Sequence, residues 1–294
     1  MSKFNYRFIT TAIILLFNIF FANICCSLNL PKHYPIPGGV AIISLDVESI
    51  NLPVVFFNDK RVLVIKHHDI GYEQAHNHPN WLAIVGIPMS TNPGLHKVSV
   101  FLDQKDHNHF TTNIERSFLV SSKKYPAEKL KLSAKFVTPS AADQLRINKE
   151  SELIKNAYNS WTKSIPNLTL KQPTIGRKSS PFGLKRILNG QNKGFHSGLD
   201  IAAPLGTKVY ASAMGQVILT GNFFYPGNVV FIDHGQGLIT SYCHLATIAV
   251  NEGDLIDTQT ILGTVGATGR ATGAHLHWAI SLNDARVNPE LFFH

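Results

Sequence analysis

Four histidines and one aspartate gather in three short motifs late in the chain: His196-Ser-Gly-Leu-Asp200, Tyr242-Cys-His244-Leu245 and His275-Leu-His277-Trp278. Imidazole nitrogens and carboxylate oxygens are zinc donors, and a catalytic zinc takes three protein ligands while keeping a fourth position open for water. On a strand His275 and His277 point to the same face, so one can hold metal while its neighbour faces a substrate. Gly198 disfavours a helix inside the first motif, so His196 and Asp200 converge from a strand end and a loop. The spacing alone leaves open which of the five are ligands, because His-x-His is a short pattern.

The elements around these motifs read as two β-rich regions joined by a helix. From Pro37-Gly38-Gly39 onward come seven short β-rich runs: Val40–Val47, Pro53–Phe57, Arg61–Lys66, Trp81–Ile87, His96–Leu102, Ser117–Val120 and Lys129–Phe136. Asn58-Asp59-Lys60 reads as a hairpin turn, and Val98, Val100 and Leu102 alternate as in a half-buried strand. Such a density of short strands predicts a β-sandwich over 31–138. Ser140 with Asp143 three residues on resembles a capping box, and Ile154, Ala157, Tyr158 and Trp161 share a helical face. A connecting helix is therefore expected over Ser140–Ser160, within a linking region 140–162. The Pro/Lys/Ser-rich stretch Pro166–Pro181 leads into the glycine-rich region 178–294 that carries the motifs.

Composition narrows the class. At about 100–200 residues per domain, 294 residues predict two domains. A hydrophobic share of 44% is enough for a core, and a charged share of only 16% argues against a disordered chain. Three cysteines exclude both a disulfide scaffold and a four-cysteine metal site. The net charge of +8 suits an anionic neighbourhood such as an envelope polymer, a membrane surface or nucleic acid. Residues 1–27, with Lys3, Arg7 and an apolar run from Ile9 to about Cys26, predict a secretory signal cleaved after Ser27 or a retained membrane anchor. Either way the protein is exported, to the periplasm or cell envelope. Cleavage would leave Cys243 as the sole thiol.

From Ser180 to Phe293 the chain resembles the lysostaphin-type (LytM-like) zinc metallopeptidases that cut peptidoglycan peptides. The resemblance rests on Phe182-Gly183, His196-Ser-Gly-Leu-Asp200, Ala203-Pro-Leu-Gly-Thr207, Gly227-Asn228, Asp233-His-Gly235, Tyr242-Cys-His-Leu245, Gly266-Ala-Thr-Gly269 and Gly273-Ala-His-Leu-His277. Pro37-Gly-Gly39 and Trp81–Pro88 resemble the amino-terminal β-domain of some Gram-negative members. The resemblance implies a mainly β protein whose carboxy-terminal domain is an antiparallel β-sheet metallopeptidase. It implies one Zn2+ per chain held by His196, Asp200 and His277, with His244 and His275 in catalytic roles. Peptidoglycan would be the substrate, cut beside D-alanine in a cross-bridge, with no nucleic-acid partner. Zinc lowers the pKa of bound water toward about 7, and two unligated imidazoles can then move protons or stabilise an oxyanion. No His-Glu-x-x-His occurs, so histidine must serve as base. Ala274 and Thr258 depart from the family's usual proline and glycine, which bears on loop rigidity only.

Other residues read as structural. His234 is a turn or supporting residue, and Tyr242 is core. Cys243 points to the sheet face opposite His244 by strand period, and is buried. His67-His68, His76-Asn-His78 and His107-Asn-His109 are solvated loop histidines, the alternatives being a second metal site or a reach into the catalytic zinc. Gly235-Gln-Gly237 lacks the rest of a dinucleotide fingerprint. Two rival functions stand beside the enzyme: a non-enzymatic regulator of wall hydrolases, which predicts degenerate ligands, and a secreted protease acting on proteins or glycine-rich peptides.

Overall fold

In a computed structural model, which describes residues 29–47, 49–66, 81–103 and 110–293, the chain is mainly β with one α-helix among the described residues. The amino-terminal half holds two sheets. Strands β1 (Val40–Ser44), β4 (Leu63–Lys66) and β5 (Trp81–Gly86) form one sheet, in the order β1-β5-β4. Strands β2 (Val54–Phe57), β3 (Lys60–Arg61), β6 (Gly94–Asp103) and β7 (Phe110–Val120) form the other, in the order β3-β2-β6-β7. Asn58 takes φ 55° between β2 and β3, giving the hairpin expected there. Alternate residues of facing strands, among them Ile43, Val55, Phe57, Val64, Val85, Val98 and Val100, fill the space between the sheets.

The first sheet is buried on both faces, which is why β5 reads Trp-Leu-Ala-Ile-Val-Gly without alternation. Its second face, through Val40, Leu63, Ile65, Leu82 and Ile84, joins the core of the carboxy-terminal half. Two polar clamps cross that seam. Asn283 Oδ1 accepts from the Gly86 backbone N–H at 2.7 Å while its Nδ2 donates to the Gly86 carbonyl at 2.9 Å. Gln236 Oε1 accepts from Val64 N–H at 3.0 Å.

The run Lys129–Phe136, expected as a sandwich strand, folds differently. Strand β8 (Ala127–Leu130) ends at Leu130, and residues Ala134–Phe136 make a 3-10 turn. β8 leaves the sandwich altogether. The next element is the helix α1 (Ala141–Tyr158), started by Ser140 Oγ accepting from Asp143 N–H. Ile154, Ala157 and Tyr158 pack against Phe223, Val229 and Phe231, whereas Trp161 lies beyond the helix and takes the Arg61 guanidinium over its ring at 4.7 Å.

The remaining strands are β9 (Arg177–Ser180), β10 (Lys185–Leu188), β11 (Gln191–Phe195), β12 (Leu199–Ala202), β13 (Lys208–Tyr210), β14 (Gly215–Phe223), β15 (Gly227–Gly235), β16 (Leu238–Ile248), β17 (Leu255–Ile256), β18 (Ile261–Val265), β19 (His275–Leu282) and β20 (Ala285–Val287). Most join one antiparallel sheet ordered β17-β14-β15-β16-β19-β12-β9, with β13, β18 and β20 attached at its sides. The exceptions are β10 and β11, a hairpin to which β8 adds in parallel, Ala127 opposite Lys185. Trp278, Tyr242, Leu276 and Ile280 are fully buried on one face of the central strands. The other face carries the polar motifs. Among the described residues no helix is long and apolar enough to cross a membrane; residues 1–28, and the histidines at 67, 68, 76, 78, 107 and 109, lie outside the described residues.

Candidate metal centre and active site

Four adjacent strands place the central residues by register. Cys243 on β16 pairs with His277 on β19, which pairs with Asp200 on β12, and Asp200 in turn pairs with Ser180 on β9. Cross-strand partners share a face, so His277 and Asp200 are neighbours by construction. His275, two residues earlier, shares that face, and the intervening Leu276 is buried in the core. His196 reaches the row from the residue just after β11. Gly198 permits the crowding: a Cβ there would sit 2.9 Å from the His277 ring and 2.5 Å from the Trp278 carbonyl.

His196 Nε2 lies 2.9 Å from Asp200 Oδ1 and 3.0 Å from His277 Nδ1, and His277 Nδ1 is 2.8 Å from the same carboxylate oxygen. His196 Nδ1 is 2.8 Å from the Pro181 carbonyl. A carbonyl only accepts, so in the neutral ring Nδ1 carries the proton and the Nε2 lone pair is the one aimed at the cluster. Lone pairs from two imidazoles and a carboxylate thus converge on one place, an arrangement that a shared cation stabilises. The protonation states favour it too. Burial opposes the Asp200 charge, but the close contacts of His196 and His277 with the carboxyl outweigh it and hold its pKa well below the ordinary range. Burial lowers the pKa of His277, keeping it neutral. The donor set N, N, O fits zinc, and these three residues form a group of potential ligands all within 4.8 Å of one another.

His244 and His275 stand beside this cluster without joining it. Their ring centroids are 4.8 Å apart, and His244 is 6.0 Å from the His277 ring. Each has Nδ1 tied to a carbonyl: His244 to Thr268 and His275 to Gly273, both at 2.8 Å. Each therefore presents Nε2 as its free nitrogen. Burial, reinforced by His277 and His275, pushes the His244 pKa down to about 3.

The expected position of Cys243 needs correcting. It is buried, but on the cleft side, the same face as His277. The cause is a bulge: between the pairs Val230–Tyr242 and Asn228–Leu245, the two residues Cys243 and His244 oppose the single Val229. His244 takes φ 63° there, a left-handed conformation that costs a non-glycine residue about 1–2 kcal/mol. Alternation fails at this point, and two consecutive residues face the cleft. Burial pushes the Cys243 thiol up to about 12, so it stays protonated.

His234 is a supporting residue. Its Nδ1 meets the Met214 carbonyl and its Nε2 meets Thr240 Oγ1, both at 2.8 Å, away from the cluster. Tyr242 is core, its hydroxyl accepting from Ser212 N–H at 2.9 Å.

The cluster lies in a cleft of about 530 Å³ that holds further charged residues. Arg186, on β10, donates to Asp200 Oδ2 at 3.1 Å and to Ser180 Oγ at 3.0 Å, and pairs with Glu128 on β8. Arg270 and Lys193 also line the cleft. Spacing did not identify Arg186, since one cation in a polar hairpin looks like any solvated surface residue. Arg270 did carry a signal: apart from histidines it is the only ionisable residue between Asp257 and Asp284.

Comparison with known proteins follows this division of the chain. The pattern of the peptidase family M23 matches residues 194–289, and that of the peptidase family M23 N-terminal domain matches residues 33–123. A Pseudomonas aeruginosa crystal structure described as a peptidase M23 is 40% identical, covers 90% of this chain and is itself covered over 96%, with a TM-score of 0.71. The chain belongs to peptidase family M23. Among curated relatives of this M23 protein, the DD-carboxypeptidase/endopeptidase Mpg of Neisseria meningitidis is 42% identical over 113 residues, 38% of this chain and 26% of that protein. The peptidoglycan DD-endopeptidase ShyA of Vibrio cholerae is 43% identical over 93 residues, 32% of this chain and 22% of that protein. The matched segments thus span about a quarter of those relatives. The metallopeptidase resemblance and the mainly β fold expected from the sequence both hold.

Proposed function

We propose that this protein is an exported zinc endopeptidase of the cell envelope, hydrolysing peptide cross-links of peptidoglycan at a DD bond beside D-alanine. The observation that carries the reading is the convergence of His196, Asp200 and His277 beside two imidazoles with free Nε2 atoms in an open cleft. Membership of the M23 family and the names of the DD-cleaving relatives support the substrate. The regulator alternative predicts degenerate ligands, and all five residues are present.

His196, Asp200 and His277 would hold one zinc, which when bound polarises a carbonyl and acidifies water. Arg186 donates to the outer oxygen of Asp200 and fixes the orientation of the carboxylate. His244, held neutral by burial, is set to take a proton at Nε2 and return it to the departing amine. His275 has Nδ1 on the Gly273 carbonyl and Nε2 3.9 Å from Asp200 Oδ1, so the ring in its doubly protonated form is set to donate from Nε2 to the oxygen that gains charge. Cys243, a protonated thiol, takes no part. The test is zinc content together with digestion of purified walls, on the unmodified protein and on His277→Ala. Zinc binding and digestion, both lost in the variant, support the reading, and the released muropeptides name the bond. Absence of zinc and of digestion in the unmodified protein overturns it.

A further inference from the structure

Arg270 is a cation with no anion. Its half-buried guanidinium lies over the Tyr225 ring, 4.4 Å from the centroid, and among the described residues it has no hydrogen-bond or ion-pair partner. The acids of the cleft are engaged elsewhere: Glu128 pairs with Arg186, and Asp200 faces Arg186 and the imidazoles. Lys193 donates to the Val137 carbonyl at 2.8 Å, which leaves its charge uncompensated too. Burial lowers the Arg270 pKa, the Tyr225 hydroxyl opposes that, and Arg186 lowers it further. An unpaired guanidinium held near a like charge is costly unless an anion arrives to share it, and the tyrosine face recovers only part of that cost.

The backbone holds Arg270 in place. Its N–H donates to the Tyr225 carbonyl at 2.9 Å, and Thr268, two residues earlier, offers the carbonyl that orients His244. Gly269, at φ 68°, lets this loop touch the 225–227 turn: a Cβ there would lie 2.3 Å from Gly227 N. The loop that aims His244 therefore also presents the free guanidinium.

We infer that Arg270 is a specificity-determining residue that binds a carboxylate of the substrate peptide, the one carried by the carbon on the amine side of the scissile bond. This rests on the DD-peptidase reading. In a DD bond the carbonyl side is D-alanine, with only a methyl group, while the amine-side carbon bears a free carboxylate. That group is present whether the amine side is a terminal D-alanine or a cross-linked diamino dicarboxylic acid. Arg270 offers the planar fork that grips a carboxylate through two parallel hydrogen bonds.

The test uses the zinc-loaded protein and two synthetic stem peptides that end in D-alanyl-D-alanine, one as the free acid and one as the terminal amide. Binding is measured by calorimetry on the His244→Ala protein, with and without Arg270→Gln, and cleavage on the proteins with His244 intact. The acid should bind, and be cut, about 10- to 100-fold better than the amide. Arg270→Gln should abolish that difference by weakening the acid alone, and Arg270→Lys, a charge without the fork, should restore part of it. Thermal melting establishes that both variants are folded. Equal loss for acid and amide in Arg270→Gln, or no preference in the unmodified protein, overturns the proposal. Wall digestion without acid preference overturns it while the peptidase reading stands. Acid preference in binding without any digestion supports the carboxylate site and overturns the peptidase reading.

Discussion

Arg186 Nη2 donates to Asp200 Oδ2 at 3.1 Å while Asp200 Oδ1, on the opposite side of the same carboxyl, faces His196 and His277 at 2.9 and 2.8 Å. One carboxylate is thus shared between a guanidinium and the candidate metal position. Groups that hold a ligand from behind fix its orientation, and their loss weakens metal binding about 10- to 100-fold. Arg186→Met should reduce zinc affinity by that factor, read by competition with a chromogenic chelator, with the fold unchanged by circular dichroism. Unaltered affinity would deny Arg186 this role.

His244→Ala and His275→Ala should each keep zinc, because neither ring belongs to the converging donors, yet lose about 10²- to 10⁴-fold in rate. Metal analysis beside a muropeptide assay separates the two effects. A variant that loses zinc would place that histidine among the ligands.

Cys243 lies in the cleft but is locked as a thiol. Cys243→Ala should cleave within about threefold of the unmodified protein, and iodoacetamide at pH 8 should leave Cys243 of the folded protein unlabelled. Rapid alkylation with loss of activity would contradict this.

His234 makes stability depend on acid. Its folded pKa is about 4, lowered chiefly by burial, against about 6.5 when unfolded. Between these values the unfolded chain binds the proton and the folded one does not. Stability is therefore full above about pH 6.5 and falls by about 3 kcal/mol as pH drops toward 4. Urea melts of the chelator-treated protein should show this decline flattened in His234→Gln. An equal decline in both proteins would assign it to other groups.

Asn283 spans the seam between the halves through both Gly86 backbone groups. Asn283→Ala leaves two buried polar groups without partners, a loss of about 2–4 kcal/mol. Asn283→Asp retains the acceptor and should lose about half of that. Denaturant midpoints with an unchanged slope would register these losses, and a midpoint shift near zero would count against the clamp.

The chemistry was legible in the sequence where residue type carries it. His275 and His277 share a face because strand period is two, and the glycine in His196-Ser-Gly-Leu-Asp200 ruled against a helix. Ser140 with Asp143 marked the helix start to within a residue. The bulge was not legible. Period two sends Cys243 and His244 to opposite faces, and only the pairing of Val229 against both shows otherwise. Nor was β8: its residues suit a strand, but its partner lies 58 positions away, and local pattern carries nothing about a parallel pairing at that range. Arg186 and Glu128 became meaningful only through that pairing.

The strand Ala127–Leu130 is the last chain segment to leave the sandwich, yet Glu128 and Leu130 form part of the cleft wall beside Arg186. The peptidase half is therefore not a cassette that can be lifted out at Ser180. A graft starting there would carry all five histidine and aspartate residues but lack the acid that braces Arg186. Exchange between family members would have to move 127–293 as one inherited piece, so variation at Glu128 should track variation at Arg186 rather than the sandwich from which β8 emerges.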